Sequence, residues 1–291
     1  MTVLQPGVAS RQVSVGDRQI FVAEAGEGFP LVLLHGGGPG ASGLSNFSRN
    51  VDALAMSFRV IVPDLPGYGR STKRLHRDDL FGDLAGAIAG TLDALEIERA
   101  HFVGNSLGGS TALRLALDRP QRVGAMVLMG PGGIDTTRSI PTAGLRRLFG
   151  YYTGEGPTLE KLRTFIRGYL VFDGTQLSDE MIEQRFAASI DPEVVASPPL
   201  QRPRSLAAAL RTDFTRDRRL ASCTVPTLTV WGLDDKVNRP SGGRSLQRRM
   251  RNCDLYLFAN TGHWVQWERA SEFNATTAAF LNQHTPAAAR R

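Results

Sequence analysis

Apolar and polar residues alternate through RQVSVGDRQIFVAEAG, on either side of Gly16-Asp17, and predict a β-hairpin near the N-terminus. Four short continuous apolar runs follow: LVLLH from Leu31, FRVIVPD from Phe58, AHFVGNS from Ala100 and AMVLMGPGG from Ala125. Runs of this kind predict strands covered on both faces, as in a parallel sheet. Between them, residues from about Asp78 to Glu96 carry apolar positions at helical spacing, and STALRLALDRP reads as a helix stopped by Pro120. Strand-helix alternation predicts a mostly parallel, twisted α/β sheet with helices on both faces.

The rhythm breaks after Gly133. From Ile134 to about Leu220 the pattern predicts helices and no strand, most clearly in LEKLRTFIRGYLVF and DEMIEQRFAASI. DPEVVASPPLQRPRS, with its prolines, reads as loop. The sheet then resumes: TVPTLTVWGLDD as strand, SLQRRMRN as helix, LYLFANTGH as strand and EFNATTAAFLNQH as a closing helix. The tail TPAAARR is expected to fray. The chain thus divides into a first core part (1–133), a helical cap or lid (134–220) and a second core part (221–291).

Composition narrows the picture. The 291 residues exceed the usual ~100–200 of one domain, which fits a large domain with an insertion. No stretch approaches the ~18 uninterrupted apolar residues of a membrane span. The first residues lack the apolar middle of a signal peptide. Cys223 and Cys253 make neither a disulfide framework nor a metal spacing. The expectation is a cytoplasmic enzyme with no membrane partner. The net charge of +6 comes largely from arginines, in LQRRMRN and TRDRRL. Neither run brings a recognition fold or interleaved aromatics, so no nucleic-acid partner is expected. A mild positive field would instead draw in an anionic substrate.

The sharpest chemical signal is Gly104-Asn105-Ser106-Leu107-Gly108, a G-x-S-x-G between a buried strand and a helix. That context belongs to a nucleophile elbow, where small neighbours let the backbone turn tightly under an exposed serine. A serine needs a base, and the base an orienting acid. In this architecture they follow in the order Ser, acid, His. Of the five histidines, His35, His76 and His101 precede the serine and His284 lies in the tail; His263, in NTGHW after the last strand, is the base. The acid belongs at the end of the preceding strand, where WGLDDKV offers both Asp234 and Asp235. Neighbours on an extended chain point opposite ways, so only one of them faces His263; spacing leaves both open.

Acyl chemistry at Ser106 would develop negative charge on a carbonyl oxygen, and backbone N–H donors must await it. One donor follows the nucleophile, at Leu107; the other comes from HGGG (His35 to Gly38), at Gly37. The same loop contains a literal G-x-G-x-x-G at Gly38, Gly40 and Gly43, with Asp64 21 residues further on, the spacing of a dinucleotide site. Against that reading, Pro39 removes an amide N–H from the proposed phosphate loop, and SGLSNFSRN is rich in turn formers where a helix should open. An oxidoreductase is therefore disfavoured and Asp64 is read as a strand-end residue.

Together these residues resemble the α/β-hydrolase superfamily over nearly the whole chain. HGGGPGASGLSNFSRN, DLPGYGRS, VGNSLGG, VLMGPGG, WGLDDKV and GHWVQWE resemble, more narrowly, the meta-cleavage product hydrolases of aromatic catabolism. That resemblance implies an α/β-hydrolase fold with a helical cap. It implies hydrolysis of a carbon–carbon bond in 2-hydroxy-6-oxohexa-2,4-dienoates, giving 2-hydroxypenta-2,4-dienoate and a carboxylic acid. It favours Asp235 over Asp234, making Ser106, Asp235 and His263 the triad with Gly37 and Leu107 as oxyanion donors. Asn46, Asn105, Arg185 and Trp264 become substrate-binding residues. Arg185 would hold the substrate carboxylate in a bidentate geometry, against the alternative of simple packing on a cap helix. No metal or organic cofactor is implied, and self-association into a dimer or higher oligomer is. The stretch from Pro199 to Arg219 departs from the resemblance and leaves the acyl side open. An ordinary carboxylesterase of the same fold is the alternative, since it needs the triad but not Arg185. Haloalkane and epoxide hydrolases differ in placing an aspartate where this chain has Ser106. A non-catalytic receptor of this fold has no need of an intact triad.

Overall fold

The apolar runs and the N-terminal hairpin form one sheet of eight strands: β1 (Ala9–Val15), β2 (Arg18–Ala25), β3 (Pro30–Leu34), β4 (Arg59–Pro63), β5 (Ala100–Asn105), β6 (Val123–Met129), β7 (Thr227–Gly232) and β8 (Cys253–Phe258). The computed structural model describes residues 7–203 and 205–289. Strand order is β1-β2-β4-β3-β5-β6-β7-β8. The β1–β2 and β2–β4 pairs are antiparallel and the other pairs parallel. β5, β6 and β7 are buried along their whole length, as their unbroken apolar runs require.

Side chains alternate across the sheet and divide the core in two. Val32, Leu34 and Phe102 point to one face, where α3 (Leu80–Ala94), α4 (Leu107–Asp118) and α11 (Ser241–Arg249) pack. Leu31, Leu33 and Val103 point to the other, covered by α1 (Gly43–Phe47), α2 (Val51–Ala55) and α13 (Ala270–His284).

Between β6 and β7 the described residues form no strand. They give α5 (Ala143–Gly150), α6 (Leu159–Phe165), α7 (Asp179–Ser189), α8 (Pro192–Ala196), α9 (Leu206–Arg211) and α10 (Arg219–Ser222). Their apolar cluster, with Leu148, Phe165, Ile182 and others, continues into Val237, Trp264 and Trp267 of the sheet domain, so this layer packs directly over the strand ends. α12 (Val265–Glu268) follows β8.

Four local expectations need correction. A helix does open at Gly43: Ser42 and Ser45 form a capping box, so the serines that read as turn formers are helix starters. Residues 192–196 are helix rather than loop, because Asp191 caps the N-terminus and Pro192 occupies the first turn, where its missing N–H is not needed. LEKLRTFIRGYLVF is not one regular helix; after Phe165 it widens into a π turn over Ile166–Leu170. The tail does not fray at Thr285, which is buried and bonded to His101 Nε2 at 3.0 Å. Arg290 and Arg291, at the end of the expected frayed segment, lie outside the described residues. Among the described residues, no helix is long and apolar enough to cross a membrane.

Candidate active site

β5 ends in a tight turn at Ser106. Ser106 has φ +51° and ψ −109°, a left-handed conformation that costs a non-glycine residue about 1–3 kcal/mol. The surroundings hold it there. Its N–H donates to the Met129 carbonyl at 2.8 Å, and its own carbonyl accepts from the N–H of Ser110 (3.0 Å) and of Gly132 (3.2 Å). The two glycines of the motif are needed for close approach. A Cβ on Gly104 would sit 2.5 Å from the Gly108 carbonyl oxygen, and one on Gly108 would run into the Leu34 carbonyl. In the run from His101 to Ser110, Ser106 alone retains some exposure. The Leu107 N–H opens α4, so the helix's unpaired N–H groups and positive end lie at the serine.

His263 and Asp235 face each other from the ends of β8 and β7, with Nδ1 and Oδ2 2.7 Å apart. Both are buried. The carboxylate is further held by the indole N–H of Trp231 (3.0 Å to Oδ2) and by the backbone N–H groups of Val237 and Asn238 (2.8 Å each to Oδ1). Spacing had left Asp234 open as well; its side chain makes no such contact with His263, and its backbone N–H bonds Thr261.

The HGGG loop is anchored from below by His35, fully buried. Its Nε2 accepts from the Leu65 N–H at 2.9 Å, so Nδ1 carries the proton and donates to the Gly36 carbonyl, also at 2.9 Å. Burial pushes the His35 pKa down, which keeps this neutral tautomer. Asp64 is more than a strand end: its carboxylate accepts from the N–H of Gly43 (2.7 Å) and of Arg70 (2.8 Å), pinning the far side of the loop. The same contacts dispose of the dinucleotide reading. The Gly43 N–H that would meet a phosphate already has a carboxylate, and the space beside Gly40 is filled by the Arg185 main chain.

Gly37, Asn46, Asn105, Ser106, Arg185, His263 and Trp264 line one slot of about 20 Å³ under the cap. Arg185, from α7, is buried. Its Nε and Nη2 donate to the Pro39 carbonyl at 3.3 and 3.1 Å, and its guanidinium lies 5.5 Å from the Trp264 ring centre. Among the described residues no carboxylate pairs with it. Burial lowers its pKa to about 10, so it stays charged at neutral pH. Asn46 Oδ1 accepts from the Gly36 N–H at 3.2 Å. Asn105 commits its amide donors to the carbonyls of Met129 (3.4 Å) and His263 (3.2 Å). It therefore fixes the His263 loop, and its amide group has no donor left for a carboxylate.

On the other side of Ser106 lies a cavity of about 430 Å³. It meets the slot at Ser106, Leu148 and Val237. Its walls come from widely separated segments and include Phe81, Ile134, Leu145, Leu200 and Trp231. Among the described residues there is no cluster of His, Cys, Asp and Glu able to hold a metal.

One residue of the site escaped sequence reasoning. Glu268, in α12, accepts from the Gly262 N–H (3.0 and 3.1 Å) and the Phe172 N–H (2.7 Å). It stands five residues after the histidine in GHWVQWE, and its position there was the signal available.

Residues 31–276 match the family model of the alpha/beta hydrolase family. A 2-hydroxy-6-oxo-6-phenylhexa-2,4-dienoate hydrolase of Comamonas testosteroni is 36% identical, over 97% of this chain and all of that protein. A 2-hydroxy-6-oxononadienedioate/2-hydroxy-6-oxononatrienedioate hydrolase of Paraburkholderia xenovorans is 38% identical, over 91% of each. The solved structure of a meta-cleavage product hydrolase from Pseudomonas fluorescens superposes with a TM-score of 0.83 at 30% identity, covering 94% of this chain and 98% of that one. This chain belongs to the alpha/beta hydrolase family, among its meta-cleavage product hydrolases.

Proposed function

We propose that the protein hydrolyses the carbon–carbon bond next to the 6-oxo group of a 2-hydroxy-6-oxohexa-2,4-dienoate, with Ser106 as nucleophile. The observation that carries this reading beyond a generic esterase is Arg185. A buried guanidinium without a carboxylate partner, in the same slot as Ser106, is costly unless an anion completes it. An ester of neutral parts gives it nothing to bind. The dienoate carboxylate does, and a guanidinium takes it in a bidentate geometry.

The chemistry follows from the positions. Asp235 holds the His263 ring with Nδ1–H toward it, leaving Nε2 to take the Ser106 proton. The dienol first becomes its keto form, which creates an electron sink on the Arg185 side of the scissile bond. Ser106 Oγ then bonds to the 6-oxo carbon, and the oxyanion is received by the N–H groups of Gly37 and Leu107. As the carbonyl reforms, the C5–C6 bond breaks. Its electron pair passes through C4 and C3 onto the C2 oxygen, which takes the proton that His263 received from Ser106, and 2-hydroxypenta-2,4-dienoate leaves. Water, activated by His263, releases the acyl group from Ser106 as a carboxylic acid. No redox partner or metal enters this balance. Asn46 and Trp264 wall the dienoate, and Asn105 holds the His263 loop.

The slot at Arg185 has room for a water rather than a dienoate, so it must widen to take substrate, and Leu148, Phe165, Leu170 and Arg185 are the wall that the cap contributes. The 430 Å³ cavity receives the acyl side; its size is that of sites for drug-sized ligands, and we assign it a ring-bearing acyl group. A cytoplasmic, self-associating enzyme completes the reading, and light scattering reads the association.

The test is optical. The yellow 6-phenyl dienolate is mixed with the protein and its bleaching followed, with p-nitrophenyl acetate in parallel. Expected are rapid bleaching, one benzoate and one 2-hydroxypenta-2,4-dienoate per substrate consumed, and slow ester turnover. Brisk ester hydrolysis with no bleaching returns the protein to the carboxylesterases and Arg185 to packing.

A further inference from the structure

The backbone around His263 is fastened on every side, and two of the fastenings lead to the cap. The His263 N–H donates to the Leu170 carbonyl at 2.8 Å. Leu170 ends the π turn, and terminal carbonyls of a helix have no partner within it, so this one is free to accept. The His263 carbonyl accepts from Asn105, next to the nucleophile. The preceding residue goes to Glu268. Its carboxylate takes the Gly262 N–H before the histidine and the Phe172 N–H from the cap at 2.7 Å. The fit is tight: a Cβ on Gly262 would lie 2.7 Å from the Val171 carbonyl carbon.

We propose that Glu268 is a positioning residue for the base: it clamps the backbone just before His263 and locks it to the cap segment Leu170–Phe172, so that His263 is aligned with Ser106 only while the cap is docked. A carboxylate suits this task. It offers only acceptors, and every group facing it is a backbone N–H. The consequence is a link between substrate entry and chemistry. Outward movement of the cap, needed to admit a dienoate to Arg185, draws on the Leu170 and Phe172 bonds and loosens the base. Docking over bound substrate restores it. The clamp rests on His263 acting as the base for Ser106, and its link to substrate entry rests also on the proposed binding of the dienoate at Arg185.

The test reads Ser106 directly. A fluorophosphonate probe labels an activated serine whatever its natural substrate, so the labelling rate per folded protein reports the base. Wild type, Glu268→Gln, Phe172→Pro and His263→Ala are compared, with melting temperatures measured alongside. Glu268→Gln keeps the shape but turns an N–H donor toward the backbone N–H groups. Phe172→Pro removes the N–H that the cap contributes; Val171 is already extended, as a residue before proline must be.

Expected for Glu268→Gln is a labelling rate lower by about 10–100-fold, the scale of a misplaced catalytic group. KM for the 6-phenyl dienoate should stay within about threefold, as Arg185 is untouched. The downfield proton resonance of the His263–Asp235 bond should shift or broaden, a signature that mere loss of stability would not give. A wild-type labelling rate in Glu268→Gln, with His263→Ala slow, overturns the proposal. A wild-type rate in His263→Ala overturns the base assignment itself. Should Glu268→Gln fail to fold, Phe172→Pro decides: slowed labelling supports the clamp, and unchanged labelling removes it.

Discussion

The two sides of Ser106 are built on opposite plans. Toward Arg185 the slot is about 20 Å³, and backbone hydrogen bonds fix its walls: His35 under the loop, Asp64 beside it, Glu268 behind His263. Toward α5 and α9 the cavity is about 430 Å³, and its walls come from the cap, from loops after β6 and β7 and from core helices such as α3, which supplies Phe81. On the proposed reading the first side takes the carboxylate end of the substrate, which is fixed, and the second takes the acyl group, where discrimination by volume is worth about 1–3 kcal/mol per group misfitted. The same scaffold can therefore keep its reaction while changing the acyl group it takes.

The largest way to break this contrast is at the point both sides share. Ser106→Ala should lower dienoate turnover by at least ~10³-fold, while dissociation constants from equilibrium titration stay near the wild-type KM. Unchanged turnover would remove the nucleophile from the scheme. Next comes the apolar side alone. Leu145→Trp fills the larger cavity, so kcat/KM for the 6-phenyl substrate should fall about 10–200-fold while that for a 6-methyl substrate stays within about threefold. Equal losses for both would mean that the acyl group sits elsewhere. On the rigid side, Gly108→Ala drives a methyl group into the Leu34 carbonyl and should cost about 1–3 kcal/mol or more in urea unfolding, an overpacking penalty.

The smallest effect lies away from both cavities. His101 is buried against Phe29 and Phe58, and burial lowers its pKa to about 3. The unfolded chain binds a proton there below about pH 6.5 and the folded one does not. Stability from His101 is thus complete above that pH and is lost as the pH falls toward 3. His35 acts in the same direction. His101→Gln should flatten the fall of melting temperature between about pH 6.5 and 4; an unchanged slope would remove His101 as a cause.

The contrast also explains what the sequence disclosed. Ser106, Asp235 and His263 stand at strand ends, where an apolar run stops abruptly at glycines, so both strand and turn leave marks on the local pattern. Gly37 and Leu107 share that advantage. Spacing alone did not choose between Asp234 and Asp235; the resemblance favoured Asp235, and what spacing lacked was the side on which Trp231, Val237 and Asn238 supply donors. Arg185 looked like any arginine on an amphipathic helix, because nothing in α7 records that it ends over the Gly38–Gly40 loop. Glu268 stood in GHWVQWE, but its role left no local mark for a similar reason. Its partners lie six residues back and 96 residues away, and all are backbone atoms, which no residue type announces. The apolar cavity drew its walls from the very segment, Pro199 to Arg219, that resembled nothing familiar.

The most direct measurement compares two substrates in one variant. Arg185→Met keeps the bulk of the side chain and removes its charge. If Arg185 binds the dienoate carboxylate, kcat/KM for the 6-phenyl dienoate should fall about 10–150-fold, the value of a charge-assisted hydrogen bond. That for p-nitrophenyl acetate should stay within about threefold. Parallel losses on both substrates, or no loss on the dienoate, would contradict it and leave Arg185 as a packing residue on a serine esterase.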